Sequence, residues 1–361
     1  MKDDRQEMSA EPLISIIVAT YKAEGTIDRF FESVVPQAEN CGEGVEIIIV
    51  DDASPDRSRE IALDWKKRHG CIKVVSHDVN KGAAAARNTG IDSSCGEYMM
   101  MVDPDDTLRS DALARLVPIM RGSRPDMIRW RFRRVDGEGK FVCNSPPLHG
   151  DGLYTISESA SSLRIGFLDF AFHMGSPAGA FRRAAAPEVR QRTAHIIAED
   201  LMFGWDFFRK ANTVFCVPET LYDYWQYPHS VSHANRSAKM ILALMSMNIA
   251  FWNGAREYKG FRAVAKDVFN DLFRMMVGWH YTLVFKEVKP DETLENAYFD
   301  AFANFIKGPG SCAALGAMYP LALLAAKIRS RALLGLFVFA SRQSSRVRFH
   351  LSRMFRNAAE D

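Results

Sequence analysis

Four short apolar runs punctuate the first third of the chain, and a stretch with helical spacing follows each of them. Residues 13–20 (LISIIVAT) and 45–50 (VEIIIV) are rich in β-branched side chains, as strands buried on both faces require. Residues 72–76 and 97–102 read as two further strands. Ile27, Phe30, Phe31, Val34 and Ala38 mark the buried face of a first helix, with Thr26 as its expected N-cap. Further helices are expected over 56–69, over 83–92, and around Leu113, Leu116, Val117 and Met120. Repeated strand–helix units close compactly as an α/β fold, a mostly parallel sheet flanked by helices.

Such a sheet binds ligands beyond the carboxyl ends of its strands. That rule selects Thr20 and Tyr21, Asp51 and Asp52, residues 77–81, and residues 103–106, which carry the acidic run DPDD. Residues 126–135 (DMIRWRFRRV) alternate differently. Ile128, Trp130 and Phe132 point one way and Arg129, Arg131 and Arg133 the other, as in a strand with one polar face, antiparallel in its pairing. Solvated arginines are the simple expectation there. After about residue 236 the pattern turns helical through Ile306, and Gly308-Pro309-Gly310 breaks the chain.

The islands at those strand ends resemble the inverting family 2 glycosyltransferases with the GT-A fold. Residues 18–24 (VATYKAE) look like that family's strand-one motif. Residues 50–56 (VDDASPD) are close to VDDGSxD, and residues 80–90 (NKGAAAARNTG) match NxGxxxARNxG. Residues 102–106 (VDPDD) resemble LDSDD, and Glu199-Asp200 followed by Leu201-Met202-Phe203 is similar to EDLxF. A lone DxD arises by chance in a chain this long; order, spacing and context carry the resemblance. It runs from about residue 13 to residue 233 and is weak between 125 and 195.

The resemblance implies a nucleotide-sugar donor, expected to be a UDP-sugar, and a hydroxyl acceptor on a glycan or lipid-linked carrier, in bacterial surface polysaccharide synthesis. Asp103 and Asp105 would hold Mn²⁺ or Mg²⁺ against the departing diphosphate, with Asp103 alternatively ordering the ribose and Asp106 able to share the metal role. Asp52 would accept a hydrogen bond from the base imide, while Asp51 would be structural. Thr20, Tyr21 and Glu24 would surround the base. Lys81 and the amides of Lys81-Gly82 would face a phosphate, and Arg87 would approach the base or diphosphate. Asp200 would be the general base, with Glu199 supporting its loop. For Asp103–Asp106 and for Asp200 the competing expectation is the cap of a following helix. For Arg87 it is a surface salt bridge.

Two segments depart from the pattern. In residues 222–233 (YDYWQYPHSVSH), Gln226 stands where the family often has arginine, and His229 or His233 would be a candidate metal ligand. Residues 176–183 (SPAGAFRR) match only loosely, which leaves the acceptor undefined.

Charge separates along the chain. Residues 301–359 hold nine Lys or Arg and no Asp or Glu, whereas the formal net charge of all 361 residues is only +2. The body is therefore mildly acidic, which excludes a dedicated nucleic-acid binder, and the tail is basic. No apolar run in it reaches the roughly 20 residues of a membrane span. Val347, Leu351, Met354 and Phe355 instead share one helical face between arginines, as in a helix lying on an anionic membrane surface. A C-terminal helical hairpin packed on the catalytic domain, with its arginines in solvent, is the competing expectation. Six scattered cysteines and a charged start point to a cytoplasmic protein, which the basic tail would place peripherally on the inner face of the membrane.

The expected organisation is a catalytic domain over 1–235, a helical extension over 236–307 and a basic amphipathic tail over 308–361. Competing functions are a non-catalytic sugar-nucleotide-binding scaffold and a dinucleotide oxidoreductase. The second lacks GxGxxG after strand one, and no GxxxxGK[ST] supports a P-loop kinase.

Overall fold

The computed structural model describes residues 11–42, 44–145, 148, 152–156, 178–193, 199–227, 292–307 and 319–335. Its centre is one ten-stranded sheet. Strands β1 (Ile14–Thr20), β2 (Val45–Asp51), β3 (Ile72–Ser76) and β4 (Tyr98–Met101) form a parallel half in the order β3-β2-β1-β4. Each connection between them is a helix: α1 (Ile27–Asn40), α2 (Ser58–Arg68) and α3 (Ala83–Ser93). The two-sided burial read from the apolar runs holds, because every residue of β2 is buried. Thr26 does not cap α1 through its side chain. Its hydroxyl turns back to the Ala23 carbonyl instead.

Beyond β4 the sheet becomes mixed. Its path continues through β9 (Gly179–Arg182), β6 (Met127–Asp136), β10 (Thr213–Gln226) and the two-residue β5 (Thr107–Leu108). The arginine-bearing strand β6 pairs antiparallel with β9 and with β7 (Phe141–Asn144), but parallel with β10. Strand β8 (Gly152–Thr155) pairs with β10. The β6 arginines are not uniformly solvated. Arg129 is buried, Arg131 donates to the Ser145 carbonyl, and Arg133 grips Asp223 with two hydrogen bonds.

Helices α1 and α4 (Ala112–Gly122) cover one face, where Ile16, Val18, Phe30, Phe31, Leu113, Leu116 and Trp130 form the main core. Ile48, Val50 and Ala86 of α3 form a smaller core on the other. Helix α3 lies so close to the sheet that a Cβ at Gly90 would fall 2.3 Å from Ile17 Cγ2, so only glycine fits. Helix α5 (Glu199–Phe208) sets Phe203 and Phe207 edge-on to Phe181 of β9.

Near the C-terminus, α6 (Glu292–Lys307) and α7 (Tyr319–Lys327) contact each other. Arg329 and Arg331 pair with Asp300 and Glu295 of α6. The amphipathic stretch 347–355 lies outside the described residues. No described helix is long and apolar enough to cross a membrane.

Candidate active site

The carboxyl ends of β1, β2 and β4 converge on α3. Thr20 ends β1, and its buried hydroxyl has no hydrogen-bond partner among the described residues. Tyr21 beside it is 45% exposed, with the Lys22 ammonium 5.3 Å from its ring centre. The Glu24 carboxylate accepts the Arg57 N–H, and its own amide donates to Asp56, so Glu24 joins two loops.

At the end of β2 the two aspartates divide their work. Asp51 accepts the Ser54 N–H across a turn in which Ala53 sits at φ 55°, the left-handed region that a glycine would occupy without strain. Asp52 is buried and accepts three hydrogen bonds within the chain. Its Oδ1 lies 2.8 Å from the Lys81 amide and its Oδ2 2.7 Å from the Gly82 amide. His77 Nδ1 lies 2.7 Å from Oδ1, while its Nε2 lies 2.9 Å from Thr89 Oγ1. This corrects the expectation that the Lys81 and Gly82 amides face a phosphate. A carboxylate of the chain already satisfies them, and Gly82, at φ 87°, makes the turn that aims them at it. The Lys81 side chain itself is exposed.

Arg87, on α3, is buried rather than a surface residue. Its Nη2 donates to Asp103 Oδ1 at 2.8 Å and its Nη1 to Glu199 Oε1 at 2.7 Å, with Gln191 Oε1 at 3.3 Å. Burial works against its charge, but Asp103, Glu199 and Asp200 outweigh it and hold the guanidinium firmly protonated. Asn88, the next residue, exchanges two hydrogen bonds with the Gln191 backbone. Burial and the neighbouring Asp200 push the Glu199 carboxyl upward, against the pull of Arg87. Glu199 and Asp200 both lie in the first turn of α5. Arg87 thus joins three elements: α3, the loop after β4, and the start of α5.

The acidic loop does not cap a helix, because β5 separates it from α4. Its three aspartates are held differently. Asp106 is fully buried, accepting the Tyr222 hydroxyl at 2.5 Å and the Trp225 amide at 2.8 Å. Both of its oxygens face protein, so it is placed to anchor the loop rather than to ligate. Asp105 is half-buried, and its carboxyl is pushed up to about 6 by burial and by Asp103, with Arg29 and Arg87 opposing. Asp103 keeps Arg87 as its partner.

No three His, Cys, Asp or Glu side chains among the described residues converge as a complete metal cage. A divalent cation held by one or two carboxylates and a substrate's phosphates does not need one. The excess negative charge at Asp105 and Asp103 is what such a cation would relieve, so the pair fits a hard metal ion. His229 and His233 lie outside the described residues.

Arg29 and Gln191 build the site without any sign in the sequence: neither has a spacing signal, since each reaches the site through tertiary contact. Tyr222 opens the 222–233 segment, where the resemblance gave it no role, and its hydroxyl holds Asp106. His77 was selected only by its place after β3. Of the loosely matched segment 176–183, Arg182 pairs with Asp126, and Arg183 donates to the Gly96 and Ile91 carbonyls at the end of α3.

Comparison with known proteins defines the class. Residues 15–186 match the model of glycosyl transferase family 2. The uncharacterized glycosyltransferase EpsJ of Bacillus subtilis is 31% identical over 252 residues, 67% of this chain and 70% of that protein. The chain therefore belongs to glycosyltransferase family 2 and is a glycosyltransferase. In fold it is similar to S. aureus TarS residues 1–349, solved in complex with UDP-GlcNAc. The TM-score is 0.69 at 18% identity, covering 91% of each chain. A mannosyltransferase of Pyrobaculum calidifontis, solved with GDP-Man and Mn²⁺, shares the fold at a TM-score of 0.51 and 14% identity, over 92% of this chain and 86% of that one.

Proposed function

We propose that the protein is an inverting, metal-dependent transferase. It would move a sugar from a UDP-sugar to a hydroxyl of a glycan or lipid-linked acceptor in surface polysaccharide synthesis. The observation that carries this reading is the double grip of Arg87 on Asp103 and Glu199. Transfer needs a diphosphate site and an acceptor-side carboxylate held in fixed relation. Arg87 supplies that relation through one rigid, planar cation.

Each end of the grip has a role. Asp105, with Asp103, would hold Mn²⁺ or Mg²⁺, which neutralises charge on the departing diphosphate. The Thr20 hydroxyl and Tyr21 would meet the base. Asp52 has about four lone-pair directions and the chain fills three, which leaves one for an imide N–H. The exposed Lys81 ammonium would approach the diphosphate. Asp200 would take the acceptor proton as the new bond forms on the face opposite the leaving group.

The UDP-GlcNAc complex of TarS supports a UDP-sugar donor, and the Mn²⁺ of the mannosyltransferase supports the metal. The GDP-Man in the latter makes the base a point to measure. A panel of nucleotide sugars with Mn²⁺ and Mg²⁺, read as UDP or GDP release, tests the reading. Metal-dependent UDP release from one or a few UDP-sugars is expected. Release from no donor under any metal condition would favour a non-catalytic binder.

Association with the inner membrane face is proposed to rest on Arg342, Arg346, Arg348, Arg353 and Arg356, since Arg329 and Arg331 already have acidic partners. Truncation after about residue 308 should abolish binding to anionic liposomes; unchanged binding would refute it.

A further inference from the structure

Arg29 projects from α1, outside every motif that the sequence singles out. Its Nη2 donates to the main-chain carbonyl of Asp105 at 2.7 Å and to the Tyr227 hydroxyl at 2.5 Å. The guanidinium lies 3.7 Å from the centre of the Trp225 ring and 5.8 Å from that of Tyr227. Stacking on an aromatic face and forked donation are what arginine does and lysine cannot.

The aromatic partners are themselves tied to the acidic loop. The Trp225 amide donates to Asp106 Oδ1, and its indole Nε1 donates to Thr107 Oγ1 at 3.1 Å. From the other side, the β6–β7 turn crowds the same rings. A Cβ at Gly139 would come within 3.0 Å of Trp225, and one at Gly137 within 3.3 Å of Tyr227. Asp105, Asp106 and Thr107 are thus each fastened to the end of β10 or to α1. This network reaches Asp105 through its main-chain carbonyl, which Arg29 holds, rather than through its carboxylate.

We propose that Arg29 is a positioning residue for the cation site. By gripping the Asp105 carbonyl and stacking on Trp225, it fixes the Asp105 carboxylate relative to the end of β10. The proposal rests on the reading of Asp105 as a metal ligand. Arg29 does not touch the metal or the donor; it sets the geometry in which the loop meets them. Partners of this kind, once lost, weaken metal affinity by about 10- to 100-fold.

The test is a titration of Mn²⁺ in the presence of UDP, followed by quenching of tryptophan fluorescence and by calorimetry, on the full chain. Wild type, Arg29→Met, Arg29→Lys, Tyr227→Phe and Asp105→Asn are compared, with melting temperatures recorded. Arg29→Met should raise the half-saturating Mn²⁺ about tenfold or more. Arg29→Lys should recover little, because lysine restores charge but not the stacked fork. Tyr227→Phe, which leaves the ring in place, should produce a smaller shift in the same direction. A merely structural Arg29 would lower the melting temperature or the folded fraction and leave the half-saturating Mn²⁺ of the folded protein unchanged. That result in both Arg29→Met and Tyr227→Phe would overturn the proposal. Asp105→Asn separates the two readings. If it leaves the Mn²⁺ titration unchanged, the metal assignment fails; if it abolishes the response while the Arg29 and Tyr227 variants match wild type, only the positioning role fails.

Discussion

Arg87 and Glu199 lie 112 residues apart in the chain and 2.7 Å apart in the fold, Nη1 to Oε1. The same guanidinium holds Asp103 with its other nitrogen. A buried cation between two carboxylates is a hub whose removal strands both partners. Arg87→Met should therefore destabilise the fold by about 3–5 kcal/mol, measured by urea unfolding. Arg87→Lys, which keeps the charge but not the fork, should lose less. Equal stability of Arg87→Met and wild type would show that the hub is not held as described.

Thr20 gives a prediction of the opposite sign. Its buried hydroxyl has no partner among the described residues, so removing it relieves a desolvated polar group. Thr20→Val should leave the melting temperature unchanged or raise it, while weakening UDP binding several-fold. A variant that loses stability and keeps UDP affinity would reverse the assignment.

The buried Glu46 sets an acid limit far from the site. Burial raises its carboxyl, but Lys73, Ser15 and the Cys95 amide outweigh burial and bring it down to about 2. A depressed carboxylate contributes stability that is present above its unfolded value, near 4.5, and is lost as pH falls through about 2. Stability should fall across that window, and Glu46→Gln should flatten the fall while lowering stability at pH 7. An identical pH dependence in the variant, measured by urea unfolding at each pH, would contradict this.

Much of the parallel half was legible in the sequence, because strands buried on both faces must be apolar throughout. Residues 45–50 showed this, and all of β2 is buried. The family motifs placed Asp52, Arg87, Asp103 and Asp200 at strand ends and helix starts for the same reason: topology fixes where a strand end lies. What stayed hidden is how those groups pair. Nothing in NKGAAAARNTG says that the Lys81 and Gly82 amides turn to Asp52, or that Arg87 reaches Glu199. The β6 arginines misled because alternation reports which face a side chain takes, not what covers that face. Arg29 was invisible because its partners come from β10 and the acidic loop.

Chelation should act at the loop, not on the fold. EDTA should suppress nucleotide release and UDP binding without shifting the melting temperature of the protein alone, and Mn²⁺ should restore both. Full UDP binding in EDTA would remove the metal from the account.

The most direct measurement is a comparison of Asp200→Asn with wild type on an identified donor and acceptor. Turnover should fall by about 10²–10⁴, the range of a lost general base, with UDP-sugar affinity within about twofold of wild type. Wild-type turnover in Asp200→Asn would contradict it.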